Sequence, residues 1–546
     1  MLSRRSLLPL PSRRAAATQP PTQTPVQPTS GQTGSKPLKR PASGQPLTPI
    51  KDADFCYEQA RHLLWRAGFG GTPQQIQTLA GWGPEKSVDY LLDVGKVDFE
   101  PVKMDVFDKD IMRPPTDEER MAYRAAQKSQ NEDEVAKFRK LRQDREREDR
   151  KQVNEMQKWW LKRMIETPRP LEEKMTLFWH GHFATSYRTI ENSYHMFMQN
   201  ELFRRHATGN FAELMFGIIR DPAMIAYLDN DDSRKGKANE NLAREIMELF
   251  SLGVGCYTET DIKEGARALT GYTFKDDDFT FVKANHDDGP KSILGKKGKL
   301  DGDDFVRAIL EQRACSRYIS RKLYSYFVND LPPVERLADK DLDPAAAKAI
   351  SGLSDTMLAN KYEIRPVLRK LLLSEHFYDS RFMNEQVKSP VTLVVGAVRS
   401  MNTPVRKLDI LNDALDLMGQ NLMFPPSVKG WEGGRSWINT STMFVRQNIL
   451  TYLLTGKQPI GYDANADVEK YDPMPLLSEL AKVDPSAPND PARVVDYLMR
   501  LTLGAVSSSA REPLLTFMSQ RKNQVNADTV TALLLLITAM PEYQLC

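Results

Sequence analysis

The sequence predicts a mainly α protein, a large multi-helix body with long loops and little or no β-sheet. Three observations carry that expectation. Apolar residues recur at helical spacing from about residue 52 onward, alternating period-2 runs are scarce, and helix-start and helix-stop residues punctuate the periodic segments. At 546 residues with 40% hydrophobic content, the chain can bury a large core, as two to four domains or as one helical body. A formal charge of +3 gives no general pull toward nucleic acid or acidic lipid, so no specific nucleic-acid partner is expected. No run reaches the roughly 18 apolar residues of a membrane span, which argues against an integral membrane protein. Cys56, Cys256, Cys315 and Cys546 form no CxxC pair, which sets aside zinc-ribbon, thioredoxin-type and haem-attachment motifs.

Residues 1–50 read as a basic, Pro-rich tail. Ser3-Arg4-Arg5-Ser6-Leu7-Leu8 resembles a twin-arginine export signal, but Pro9 and Pro11 cut its apolar region short of the roughly 7–15 residues such a signal needs. Two outcomes follow: a periplasmic or secreted protein, or a cytoplasmic one with a disordered tail. The main helical domain is expected over 51–456 and a C-terminal helical segment packed on it over 457–546. Its first helix, about 60–67, stops at glycines, and Thr72 caps the next with Pro73 at its first position. Gly68–Gly71 lacks the Lys-Ser/Thr ending of a phosphate loop, so no nucleotide is expected. A further helix covers 82–94. Thr116, followed by Glu118 and Glu119, starts a long charged helix over 116–166, an insertion near 117–165 whose mixed-sign middle pairs at i,i+4 spacing. Fifty residues of helix would reach about 75 Å, so this segment either breaks or projects. Pro168 and Pro170 end it. Helical patterns return at 301–327, 345–358, 364–373, 386–401, 408–417, 437–454, 474–480, 491–503, 510–520 and 529–539, with a Pro- and Gly-rich loop over 421–436.

The densest polar chemistry lies between Met175 and Lys291, which holds five of the seven histidines. His180 and His182 flank Gly181, for which an extended or kinked backbone is expected; that would put both rings on one side. On the helix 239–250, Asn241, Glu245 and Glu248 share a strip beside the apolar stripe, and Arg244 pairs with Glu240 one turn back. His180, His182, Glu245, His286 and Asp287 together offer ligands for a divalent metal such as zinc, manganese, iron or calcium. Alternatively Glu245 or Glu248 acts as general base with His180 or His182 as acid, or these groups form a structural network that satisfies buried helix ends. Asp229 and Asn230 suit cation binding or helix capping, and Trp431 and Trp437 suit stacking on a ligand or packing in the loop.

Several motifs in order resemble the bacterial domain of unknown function 1800 family. They are His62 to Gly70, Leu171 to Phe183, Asn239 to Gly255, Ala266 to Gly271, His286-Asp287, Val387-Lys388-Ser389-Pro390, Pro425-Pro426 with Gly430-Trp431, and Trp437 to Thr440. The charged insertion near 117–150 and the short export signal depart from the usual pattern. The resemblance implies a large helical protein, often exported and commonly encoded beside a domain of unknown function 1501 partner. It assigns no catalytic residue. Two functions are carried forward: a metal-assisted or acid–base hydrolase acting on an extracellular polymer or ester, and a non-catalytic binding or assembly protein working with that partner.

Overall fold

The computed structural model describes residues 46–93, 95, 102–104, 107–333, 338–457 and 469–546. The tail and export-like motif expected over 1–50 lie outside the described residues up to residue 45. Among the described residues the chain forms 23 α-helices and four short strands. The first are α1 (Tyr57–Arg66), α2 (Pro73–Trp82), α3 (Pro84–Leu92), α4 (Asp117–Lys128), α5 (Glu132–Glu166), α6 (Pro170–His182), α7 (Tyr187–Ile190) and α8 (Ser193–Arg205). There follow α9 (Phe211–Ile218), α10 (Pro222–Tyr227), α11 (Asn241–Glu248) and α12 (Glu259–Ala268). Two antiparallel hairpins come next, β1 (Tyr272–Lys275) with β2 (Asp278–Phe281) and β3 (Lys291–Ile293) with β4 (Lys296–Gly298). Then come α13 (Gly302–Leu310), α14 (Arg313–Phe327), α15 (Pro344–Ala359), α16 (Ile364–Leu372), α17 (Pro390–Met401), α18 (Leu408–Leu417) and α19 (Thr440–Thr455). The last are α20 (Ser478–Val483), α21 (Pro491–Leu503), α22 (Ser508–Gln520) and α23 (Ala527–Thr538). No helix among the described residues is long and apolar enough to cross a membrane.

The fold is mainly α, and many helix starts follow directly from the sequence. Thr72 caps α2 in a capping box with Gln75, and Thr116 caps α4 in one with Glu119. The single helix expected over 116–166 is two. Ser129 closes α4, Gln130 adopts a left-handed φ of 53°, and Asn131 caps α5 by accepting from the Glu134 amide. The reversal lets α4 fold back on α5, where Tyr123 meets Phe138 at 5.6 Å and Arg145 reaches Glu119 at 3.3 Å. Exposed i,i+3 and i,i+4 ion pairs lace this arm, and each contributes little. Beyond Asp149 the helix α5 enters the core with Val153, Met156, Trp160, Leu161 and Met164.

Buried charge ties the helices together. Glu173, fully buried on α6, accepts from Arg163 Nε of α5, from Arg204 Nε and Nη2 of α8 at 2.8 and 3.1 Å, and from Trp160 Nε1 at 2.9 Å. Asp149 plays a similar part, accepting from Tyr187 Oη at 2.8 Å and Ser193 Oγ at 2.6 Å. Other buried arginines close helix C-termini, where the last carbonyls lack partners. Arg399 donates to Ile165 and Thr167 of the α5 end at 2.8 Å each. Arg61 donates to Leu501 and Thr502 at the end of α21, at 2.8 and 2.6 Å.

Burial alone would raise the Glu173 pKa, but Arg204 and Arg163 outweigh it and hold the carboxyl below its ordinary range. Its contribution is therefore complete above the unfolded value of about 4.3 and is lost as pH falls through the lower folded value. Glu173→Gln, measured by denaturant unfolding at neutral pH, is expected to destabilise by about 3–5 kcal/mol, since it leaves two arginines without their anion. The difference from wild type should shrink as pH falls below about 4.

Candidate functional site

The helix α6 starts with Pro170 at its first position and runs unbroken through Gly181 to His182. The extended or kinked backbone expected there is thus corrected: with 100° per residue, His180 and His182 point about 200° apart. His180 is buried and accepts the Met423 amide on Nε2 at 3.2 Å, with Trp160 and Trp431 rings at 5.5 Å. Burial brings its pKa down to about 3. His182 meets the Phe250 carbonyl with Nε2 at 3.0 Å, among the rings of Phe178, Phe183 and Phe250. Burial, aided by Lys322, also brings it to about 3. The ring is therefore neutral, donates from Nε2, and keeps a lone pair on Nδ1, which has no hydrogen-bond partner.

Gly181 sits in a helix interior because another backbone crosses it. A Cβ on Gly430 would lie 2.1 Å from the Gly181 carbonyl oxygen, and Gly430 also has a φ of 74°. This approach seats Trp431 against Gly181 and His180, and the buried Trp437 follows at the end of the same loop.

Beneath the loop lies a cavity of about 220 Å³, walled by α1, α6, α14, α17 and the loop itself. His182, Trp431 and Trp437 line it, together with five basic side chains, Arg66, Lys174, Lys322, Lys388 and Lys429, and two acidic ones, Asp330 and Glu432. Lys174 is only 6% exposed, makes one hydrogen bond, to Thr392 Oγ1 at 3.0 Å, and lies over the rings of Phe69 and Tyr326. Burial lowers its pKa to about 8, with Cys546 offsetting part of the shift and Arg66 adding to it. Lys388 donates to the Tyr543 carbonyl at 2.6 Å between the rings of Trp65 and Tyr543, and burial pushes its pKa well down. Arg66 donates from Nη2 to the Val328 and Phe382 carbonyls at 2.8 Å, while Nε and Nη1 are buried without partners. These cations were not among the residues expected from sequence. No local signal singled them out, since Lys174 follows Glu172-Glu173 and Lys388 stands in the polar run Asn384-Glu385-Gln386-Val387-Lys388-Ser389.

The remaining expected site residues lie elsewhere. On α11, Glu245 is half-buried and its pKa is raised by burial and then by Glu248, with Arg244 and Lys429 opposing. Glu248 accepts from Tyr257 Oη at 2.6 Å. Arg244 pairs with Glu240, as its spacing predicts, and with Glu259, and Asn241 is exposed at the helix start. His286 bonds the Thr270 carbonyl through Nδ1 at 2.9 Å. Arg267 grips both oxygens of Asp287 and, as the largest cause, holds its pKa far below the usual range. Asn230 is buried and donates to Leu269 and Tyr272 carbonyls, and Asp229 is an exposed left-handed residue with φ of 53°. The five metal ligands expected from sequence are not gathered. Among the described residues no group of three or more His, Cys, Asp or Glu is placed to hold a metal ion. The physical reason is that the unbroken helix α6 turns His180 and His182 about 200° apart, while Asp287 is held by Arg267.

Gly430→Ala is expected to strain the left-handed backbone by about 1–2 kcal/mol and, in addition, to push the loop off Gly181. Lowered thermal stability and a shift in tryptophan emission, from exposure of Trp431, are the expected readouts.

Comparison with known proteins gives one finding. A family model described as "Protein of unknown function (DUF1800)" matches residues 62–545, whereas no curated protein and no solved structure matches the chain. The matched span takes in the second half of α1, both histidines of α6, the Trp431 loop and the other helices that wall the cavity. The chain belongs to the DUF1800 family of proteins of unknown function.

Proposed function

We propose that the protein is a hydrolase acting on an ester that carries an acidic group, with the cavity as reaction site and Lys174 as general base. One observation carries this: a buried lysine with a pKa of about 8, hydrogen-bonded to a hydroxyl, lines a cavity beside two further buried cations. A base works best when its pKa lies near the operating pH, and Lys174 meets that condition where His182, at about 3, does not. Arg66, with Nε and Nη1 unpaired, favours an anionic ligand, and the Trp431 loop lines the same cavity. His182 serves as a hydrogen-bond acceptor rather than as the principal base. The substrate class we propose is an extracellular polymer or ester; the family resemblance implies only a protein that is often exported and commonly encoded beside a domain of unknown function 1501 partner.

Hydrolysis of aryl esters with and without a carboxylate tests this directly. The expected result is a preference for acidic esters and a rate that rises with pH toward a plateau above about 8, as Lys174 loses its proton. Lys174→Met should lower kcat/KM by about 100-fold or more. An unchanged rate in folded Lys174→Met, or no hydrolysis of any ester by wild type, would overturn the proposal.

A further inference from the structure

We infer that Ser389 is a covalent nucleophile of this cavity and that Thr392 relays its proton to Lys174. The inference rests on the hydrolase proposed above and goes further by naming the attacking atom. Ser389 is the N-cap of α17, with Pro390 at the first helical position, so its side chain is held in a fixed orientation. Its Oγ accepts the Thr392 amide at 3.2 Å and donates to Thr392 Oγ1 at 3.0 Å. Lys174 Nζ lies 3.0 Å from that same Thr392 oxygen. Three groups thus form a continuous line from cavity to buried amine. Ser389 is half-buried on the cavity wall, whereas Thr392 is 3% exposed. Both hydroxyls border the cavity; the more exposed, on Ser389, is the one placed to attack a substrate, and Thr392 passes the proton.

Capping accounts for the bond between Ser389 and the Thr392 amide. It does not account for an amine placed on the Thr392 hydroxyl with aromatic rings around it. The charged groups acting on Lys174 are Arg66 from α1, which lowers its pKa, and Cys546, which raises it; Lys322, Asp330, Lys388, Lys429 and Glu432 line the same cavity. Burial is the largest influence and favours the neutral amine that the relay requires.

In the reaction, Ser389 Oγ bonds to the acyl carbon while its proton moves to Thr392 Oγ1 and the Thr392 proton moves to Lys174 Nζ. The tetrahedral adduct then expels the alkoxide, which takes a proton from Thr392 Oγ1 as Lys174 Nζ returns one to that oxygen. Water next bonds to the acyl carbon, giving its proton to Thr392 Oγ1 as the Thr392 proton moves to Lys174 Nζ; collapse releases the acid and Ser389 Oγ, which recovers its proton from Thr392 as Lys174 gives one back. Arrangements in which a base is linked to a hydroxyl nucleophile are general to covalent hydrolysis.

The full chain should be treated with a fluorophosphonate, in which serine attack on phosphorus expels fluoride, and the adduct mapped by peptide mass spectrometry. A single adduct at Ser389 is expected. Ser389→Asn, which retains a capping side chain, should lose it. Lys174→Met should slow labelling about 100-fold and flatten its rise with pH, and Thr392→Val should slow it as well. No adduct at Ser389, or labelling indifferent to Lys174→Met, overturns the inference. Ester hydrolysis that persists in Ser389→Asn would overturn the covalent step alone and leave a lysine-based hydrolase standing; absent hydrolysis in wild type would remove both.

Discussion

Glu173 takes four hydrogen bonds from three side chains on α5 and α8, and the placement of α6 depends on that knot. A lone carboxylate in this position would be too costly to bury, and two lone arginines costlier still. Together they are stable only in one arrangement, because the forked guanidinium of Arg204 must meet both carboxylate oxygens at once. The registry of α6 against α5 and α8 is thereby fixed. One residue further along α6, Lys174 projects toward α17 instead, so the ionic knot sets the position of the amine that faces the cavity.

The contrast between these neighbouring residues explains the character of the site. Glu173 has its counter-ions within hydrogen-bond reach, while Lys174 has a hydroxyl and two aromatic rings. The first arrangement stabilises charge; in the second, burial outweighs what the ring faces contribute and disfavours it. Lys388, between Trp65 and Tyr543, repeats the second arrangement from another element. Charge held in unfavourable surroundings is a reservoir that a bound anion or a proton transfer can draw on.

Much of the fold was legible in the sequence, because helix periodicity and capping are local. Thr72, Thr116 and the prolines at helix starts act within one turn, and α18 and α21 fall where their apolar spacing puts them. The break in the long helix was not legible: Ser129, Gln130 and Asn131 are all tolerated inside helices, and the reversal is favoured by tertiary contacts between α4 and α5, Tyr123 with Phe138 and Glu119 with Arg145. The site was less legible than the fold. Histidine and paired carboxylates drew attention because they suit metals and acid–base work, yet here most of them satisfy backbone groups or pair with arginine. The cavity cations come from α1, α6 and the approach to α17, more than 300 residues from first to last in sequence, and no local pattern links them. The Leu171–Phe183 and Val387–Pro390 motifs did contain Lys174, Lys388 and Ser389, but as family markers without a role attached.

The arginine caps tie the order of synthesis to the order of folding. Arg61 closes the end of α21 across 440 residues of sequence. At about 5–20 residues per second, a ribosome needs roughly half a minute or more to make that interval. Throughout it, α1 holds a cation destined for the interior with no carbonyl to receive it. The N-terminal helices therefore wait, incompletely buried, until the distal helices emerge, and long-range closures of this kind slow folding. A newly made chain of this design has its greatest exposure to aggregation and proteolysis before its final hundred residues are made, which favours a holding factor bound to the N-terminal half during translation.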